Sequence, residues 1–152
     1  MADWGPVFVS VMLFILLTPG LLIQIPGKSR IVEFGNFQTS GVSILVHAIL
    51  YFALICIFLL AVGIHIPSRH RKLSTRFIFS SNNMADWGPV VIGVLLFVIL
   101  QPGLLFAFPG TNRQLEFGSM KTNGKAIFIH TLIFFALYAL ILFALHVHIY
   151  SG

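Results

Sequence analysis

The chain has 152 residues, of which 58% are hydrophobic and 9% charged, with a formal net charge of +5 and a mean hydropathy of +0.99. A water-soluble domain carries about 25% charged residues, so this composition argues against a soluble globular class and for lipid as the solvent. The basic residues lie at the edges of apolar runs, where Lys and Arg set topology and meet anionic headgroups, and no aromatic–basic motif supports nucleic-acid binding.

The heptapeptide Met-Ala-Asp-Trp-Gly-Pro-Val stands at Met1–Val7 and again at Met84–Val90, and the register then holds without a gap. Pro19-Gly20 matches Pro102-Gly103, Glu33-Phe34-Gly35 matches Glu116-Phe117-Gly118, and His47 and His65 match His130 and His148. Roughly half of the aligned positions are identical, so the chain is one unit written twice. The units are 1–66 and 84–152, joined by a basic linker at 67–83.

In chain order, the first apolar run, 6–25, is about 30 Å long as a helix and is predicted to span a bilayer, as is its mate at 89–108. Asp3 and Asp86 are expected N-caps, Pro6 and Pro89 suit a first helical turn, and Trp4 and Trp87 suit the interfacial aromatic belt. The run has no basic leader and no small-residue cleavage site, so it reads as a retained helix and not a signal peptide. Pro19 and Pro102 fall inside these spans and predict kinks that free the carbonyls of Ile15 and Val98. Thr18 and Gln101 are the expected local partners. A kink serves packing more often than ligand binding or hinging, and the packing role is preferred.

Pro26-Gly27 and Pro109-Gly110 are expected to stop the helices. The loops that follow share the pattern Pro-Gly-x-x-Arg-x-x-Glu-Phe-Gly-x-x-x-Thr-x-Gly. Arg30 and Glu33, like Arg113 and Glu116, stand three apart, and a helical turn would let each pair meet. Phe34 with Phe37, and Phe117 with Met120, are placed to rest on a membrane interface. Arg30, Glu33, Phe34, Arg113, Glu116 and Phe117 are thus candidate recognition residues for a partner or headgroup, set against a plain surface loop.

The second run of each unit, 43–66 and 126–149, completes four predicted spans. It carries His47 and His65, or His130 and His148, eighteen residues and five turns apart, about 27 Å along one face. Ionisable residues in spans are functional candidates, here as a proton relay or pH sensor. The plainer expectation is an interfacial histidine bonding its own hairpin: His47 with Glu33 or Thr39, His65 with Asp3. Cys56, the single cysteine, reads as a small buried hydrophobe. No ligand cluster, nucleophile–base pair or phosphate loop stands out, so no cofactor, metal or enzymatic activity is expected.

Two spans per unit put the two loops on one side and the termini and junction on the other, a parallel repeat. Lys28, Arg30, Arg113, Lys121 and Lys125 favour cytoplasmic loops, while the basic junction at 68–76 argues the other way. Sequence similarity is lost after Ile66 and returns with Met84 in an initiator-like context, which reads as two joined reading frames.

On the Met-Ala-Asp-Trp-Gly-Pro-Val start, the Pro-Gly-Leu-Leu of 19–22, the loop of 26–35 and the His-Ile-Tyr-Ser-Gly of 148–152, each half resembles a plant family of short two-helix membrane proteins catalogued only as a domain of unknown function. The resemblance covers nearly everything except 67–83, implies an all-α integral membrane protein, and brings no catalytic residues. The expectation is a multi-pass protein of the endomembrane system or plasma membrane, contacting lipids and either other membrane proteins or copies of itself. Its role would be that of a non-enzymatic scaffold or accessory subunit, with Ala48, Ala53, Ala61, Ala136, Ala139 and Ala144 permitting close helix approach. The alternative is an oligomeric transporter or channel.

Overall fold

The computed structural model describes residues 4–65 and 87–151, with side chains throughout except at 62–65, 87 and 146–151. The expected caps Asp3 and Asp86, the linker 67–83 and the side chains of His65 and His148 lie outside that description.

Each unit is a short helix, a small β-hairpin and a long helix. In the first unit these are α1 (Gly5–Leu17), β1 (Ile23–Gln24) with β2 (Glu33–Phe34), and α2 (Gly41–His65). In the second they are α3 (Trp87–Ile99), β3 (Phe106–Ala107) with β4 (Glu116–Phe117), and α4 (Gly124–Ser151). Both strand pairs are antiparallel, with Ile23 opposite Phe34 and Phe106 opposite Phe117.

The first helix of each unit is shorter than the helices expected over 6–25 and 89–108. Thirteen residues make a helix of about 20 Å, short of a hydrocarbon core of about 30 Å. Two helices, α2 and α4, are long and apolar enough to cross a membrane. The physical reason lies at Pro19 and Pro102, which end α1 and α3 and do not kink them. A residue before proline is pushed out of the helical region, and Thr18 is extended at φ −60°, ψ 116°. Gly20 then takes φ +86° and Gly103 φ +94°, and the chain turns, with the N–H of Leu21 donating to the Thr18 carbonyl.

The starts fit their sequence better. Pro6 sits in the first turn of α1. The long helices start within a few residues of expectation and are capped by side chains: Ser40 Oγ accepts from the Ser43 N–H at 3.2 Å, and Asn123 Oδ1 from the Ala126 N–H at 2.8 Å.

The short helices α1 and α3 each touch both long helices, α2 and α4, so each unit packs as much against the other unit as against itself. Aromatic rings fill the centre. Phe14 of the first unit stacks on Phe134 of the second at 4.6 Å, and Phe97 of the second stacks on Tyr51 of the first at 4.6 Å. These two contacts are repeat mates. Phe14 and Phe97 themselves meet edge-on at 5.8 Å, as residues on a pseudo-two-fold axis must. The outward faces are left apolar: only 28% of an 18-residue stretch within 41–61 and 33% of one within 124–145 are buried within the protein.

Candidate functional site

Both loops gather at one end of the bundle and meet on the pseudo-axis. The Thr39 N–H donates to the Met120 carbonyl at 2.9 Å and the Thr122 N–H to the Phe37 carbonyl at 2.9 Å, bracketing an antiparallel bridge between Gln38 and Lys121. The geometry needs an unusual backbone on either side. Phe37 and Met120 hold φ of 51° and 52°. Gly20 and Gly103 lie so close beneath that an added Cβ would stand 2.3 Å from the Gln38 carbonyl oxygen and 2.6 Å from that of Lys121.

The shared loop motif turns out to be a turn, not an ion pair. Glu33 accepts from the Ser29 N–H at 2.7 Å, the Ser29 hydroxyl at 2.8 Å and the Arg30 N–H at 3.2 Å. Glu116 accepts from the Asn112 N–H at 2.6 Å and the Arg113 N–H at 3.1 Å. The expected Arg30–Glu33 and Arg113–Glu116 side-chain pairs therefore do not form; each carboxylate takes the arginine's backbone instead. The chain here is a tight loop closed by a Gly27 N–H to Ile31 carbonyl bond, so the helical geometry that an i, i+3 pair requires is missing. Glycine precedes the loop because the carboxylate folds over it: a Cβ on Gly27 or Gly110 would lie 2.6 Å from the glutamate Cγ. The backbone N–H of Ser29, the leading cause, holds the Glu33 carboxyl at about 2, and that of Asn112 holds Glu116 low in the same way.

Asn36 donates to Glu33 Oε2 at 2.6 Å and to the buried Gln24 side-chain oxygen, extending the first loop's network inward. The second unit has Ser119 and Ala107 at those positions and lacks this extension. Phe34 and Phe117 stand 75% and 74% exposed at the loop edge. Beside the inter-loop bridge is an open cavity of about 260 Å³, lined by Gln24, Lys28, Gln38, Thr39, Ser40 and Lys121 among others. The Thr39 and Thr122 hydroxyls, repeat mates, are buried without a partner, as are both amide atoms of Gln101.

The expected partners of the central histidines were wrong. His47 meets neither Glu33 nor Thr39. Its Nδ1 lies 2.7 Å from the Leu17 carbonyl and its Nε2 accepts from the Ile25 N–H at 3.2 Å. His130 repeats this with the Leu100 carbonyl at 2.8 Å and the Phe108 N–H at 3.3 Å. A carbonyl can only accept, so Nδ1 carries the proton and the ring is neutral. Each histidine ties off a carbonyl at the end of the short helix, Leu17 at the close of α1 and Leu100 just past α3, and the first N–H past β1 or β3. A buried backbone polar group costs free energy unless it is met, and these rings meet two of them. The Pro19 break is served otherwise: the Thr18 N–H reaches the Ile15 carbonyl, while the Thr18 hydroxyl goes to Phe14 and the Gln101 side chain to nothing.

Sequence reasoning placed the candidate loop residues together but missed Asn36, Ser40 and Asn123. The Asn-x-x-Ala of 123–126 was a legible cap signal; the Gln24–Asn36–Glu33 network carried none, because it depends on the hairpin register. Among the described residues no group of three or more His, Cys, Asp or Glu could hold a metal ion.

The chain matches the family described as "Protein of unknown function (DUF3339)" over residues 1–67 and again over 84–150. No curated protein and no solved structure matches it. The chain belongs to that family, in two tandem copies.

Proposed function

From membership in this family twice over, we propose that the chain is a multi-pass integral membrane protein of the plasma membrane or endomembrane system, working without catalysis as a helical scaffold or accessory subunit. The observation that carries the proposal is the outward surface of α2 and α4. Leu45, Ile49, Ile57, Phe128, Leu132 and Leu140 are all exposed and apolar, on helices of membrane-spanning length. An exposed apolar face of this kind on each long helix marks a lipid or protein contact. Ala53, Ala136 and Ala144 are exposed within it, and small residues let a neighbouring helix approach closely. Several inward polar groups, by contrast, are spent on the protein's own backbone, as at His47, Ser10 and Thr131. The alternative of a transporter or channel draws no support from the bundle centre, which Phe14, Phe97, Tyr51 and Phe134 fill.

A photo-crosslinking amino acid at 45, 49 or 140, in native membranes, tests the reading. The expected result is one defined protein adduct, weakened when Ala53 and Ala136 are enlarged to Leu. Adducts with lipid alone would sink the scaffold role.

A further inference from the structure

The interface between the two units is self-complementary, and we infer that its natural partner is any second copy of the unit, in the same chain or another. In particular, the first unit would pair with another first unit, giving a true two-fold dimer where the tandem chain has an approximate one. This stands apart from the scaffold reading, since it concerns how the units meet and not what their outer faces touch.

Three observations carry it. First, the inter-loop bridge is made by backbone alone: Thr39 N–H to Met120 carbonyl and Thr122 N–H to Phe37 carbonyl. Side-chain differences between the units leave it untouched. An isologous interface demands that residue i meet j and j meet i, and these bonds obey that rule. Second, the aromatic contacts survive the exchange. With a first unit in place of the second, Phe14 replaces Phe97, Tyr51 replaces Phe134, and Phe52 replaces the Phe135 on which Trp4 now stacks at 6.4 Å. Each of these rings is met by a ring, while Tyr138 gives way to Ile55.

Third, the homotypic pairing adds a partner to a buried hydroxyl that the tandem pairing serves poorly. The Tyr51 hydroxyl is buried and makes no hydrogen bond of good geometry, its neighbour Ser10 of the same unit donating to the Pro6 carbonyl. It faces Gly93 of the second unit, where an added Cβ would lie 3.3 Å from the hydroxyl oxygen. The first unit has Ser10 at that position. A homotypic pair therefore brings a second serine hydroxyl, from the partner unit, within reach of the phenol, with a shift of a few tenths of an ångström, and a satisfied buried hydroxyl is the favoured state. In the tandem chain the exchange also offers a route to domain swapping, with the first unit of one chain on either unit of another.

The test uses the full chain carrying a protease site within 67–83 and, in a second preparation, a different tag on the first unit. Both are cut in detergent micelles, mixed and incubated. The expected result is that the halves stay paired after cleavage, and that one tagged first unit then retains the other. On the order of half of the first units would be homotypic if all pairings are equally stable. Separation of the halves on cutting, or pairing only of first with second units, would overturn the inference. A cysteine pair guards against non-specific association. In a Cys56→Ala background, Gln38→Cys should give a disulfide between two first units across the axis, while Ile31→Cys at the exposed loop tip should not. Equal crosslinking at both positions, or none at 38, would also refute it.

Discussion

Replacing His47 by Ala removes a ring that holds two backbone groups at once, the Leu17 carbonyl and the Ile25 N–H. His47 is 1% exposed, so water is not at hand to substitute. A buried group left unpaired costs roughly 1–3 kcal/mol, and two of them make about 2–6 kcal/mol before any loss of packing. Against a total stability of about 5–15 kcal/mol, His47→Ala should weaken the fold severely, and adding His130→Ala should abolish it. His47→Gln retains one donor and one acceptor on a single amide, which cannot span both groups as the ring does. It should recover one bond, about 1–3 kcal/mol, and preserve assembly. The assay is unfolding of the purified protein in detergent, followed by Trp fluorescence. An Ala variant within about 0.5 kcal/mol of the parent, the range of an ordinary surface change, would show that the rings are not what holds the short helices' ends.

Four other outcomes follow from the same geometry. The depressed Glu33 carboxyl contributes stability that is complete above its ordinary value of 4.5 and is lost as pH falls through about 2; carboxyl NMR should show that low midpoint, and a titration at 4.5 would contradict the turn. Gly20→Ala should destabilise by more than the roughly 1–2 kcal/mol of a left-handed L-residue, because its Cβ meets the Gln38 carbonyl at 2.3 Å; Gly41→Ala, with open space around it, should be neutral in the same melt. Phe14→Ala should cost about 3–5 kcal/mol, whereas exposed Phe143→Ala should change stability little. Leu140→Arg should impair membrane integration by about 2.5–3.5 kcal/mol if that face meets lipid, and glycosylation-site mapping of α4 insertion would register no change if it meets water.

The repeat, the long helices and the helix-start prolines were legible because each is a local signal: composition over twenty residues, or a residue type with one backbone preference. The end of α1 was misplaced although its cause, Pro19, was in view. Hydropathy runs on through Leu21–Ile25, and apolar residues in a buried hairpin look the same as apolar residues in a helix. The Glu33 turn was misread for a related reason. An Arg three residues before a Glu is a helical pair only if the backbone is helical, and here Gly27 and the β1–β2 register set a different path. The partners of His47 were out of reach, since Leu17 and Ile25 become its neighbours only once the helix stops short. Pairing of the two units was invisible for the opposite reason: its hydrogen bonds are backbone, and backbone leaves no mark in a residue pattern.

That pairing is the most directly measurable claim. Gln38 and Lys121 form a non-hydrogen-bonded antiparallel pair, for which the Cα atoms stand about 4.5 Å apart, inside the roughly 4.4–6.8 Å window of a disulfide. In a chain with Cys56→Ala, the double variant Gln38→Cys/Lys121→Cys should close an intramolecular disulfide under mild oxidation in membranes. Ile31→Cys/Gln114→Cys, at equivalent but exposed loop positions, should stay reduced. Free thiols at 38 and 121 under conditions that oxidise other neighbouring pairs would contradict the two-fold assembly of the units.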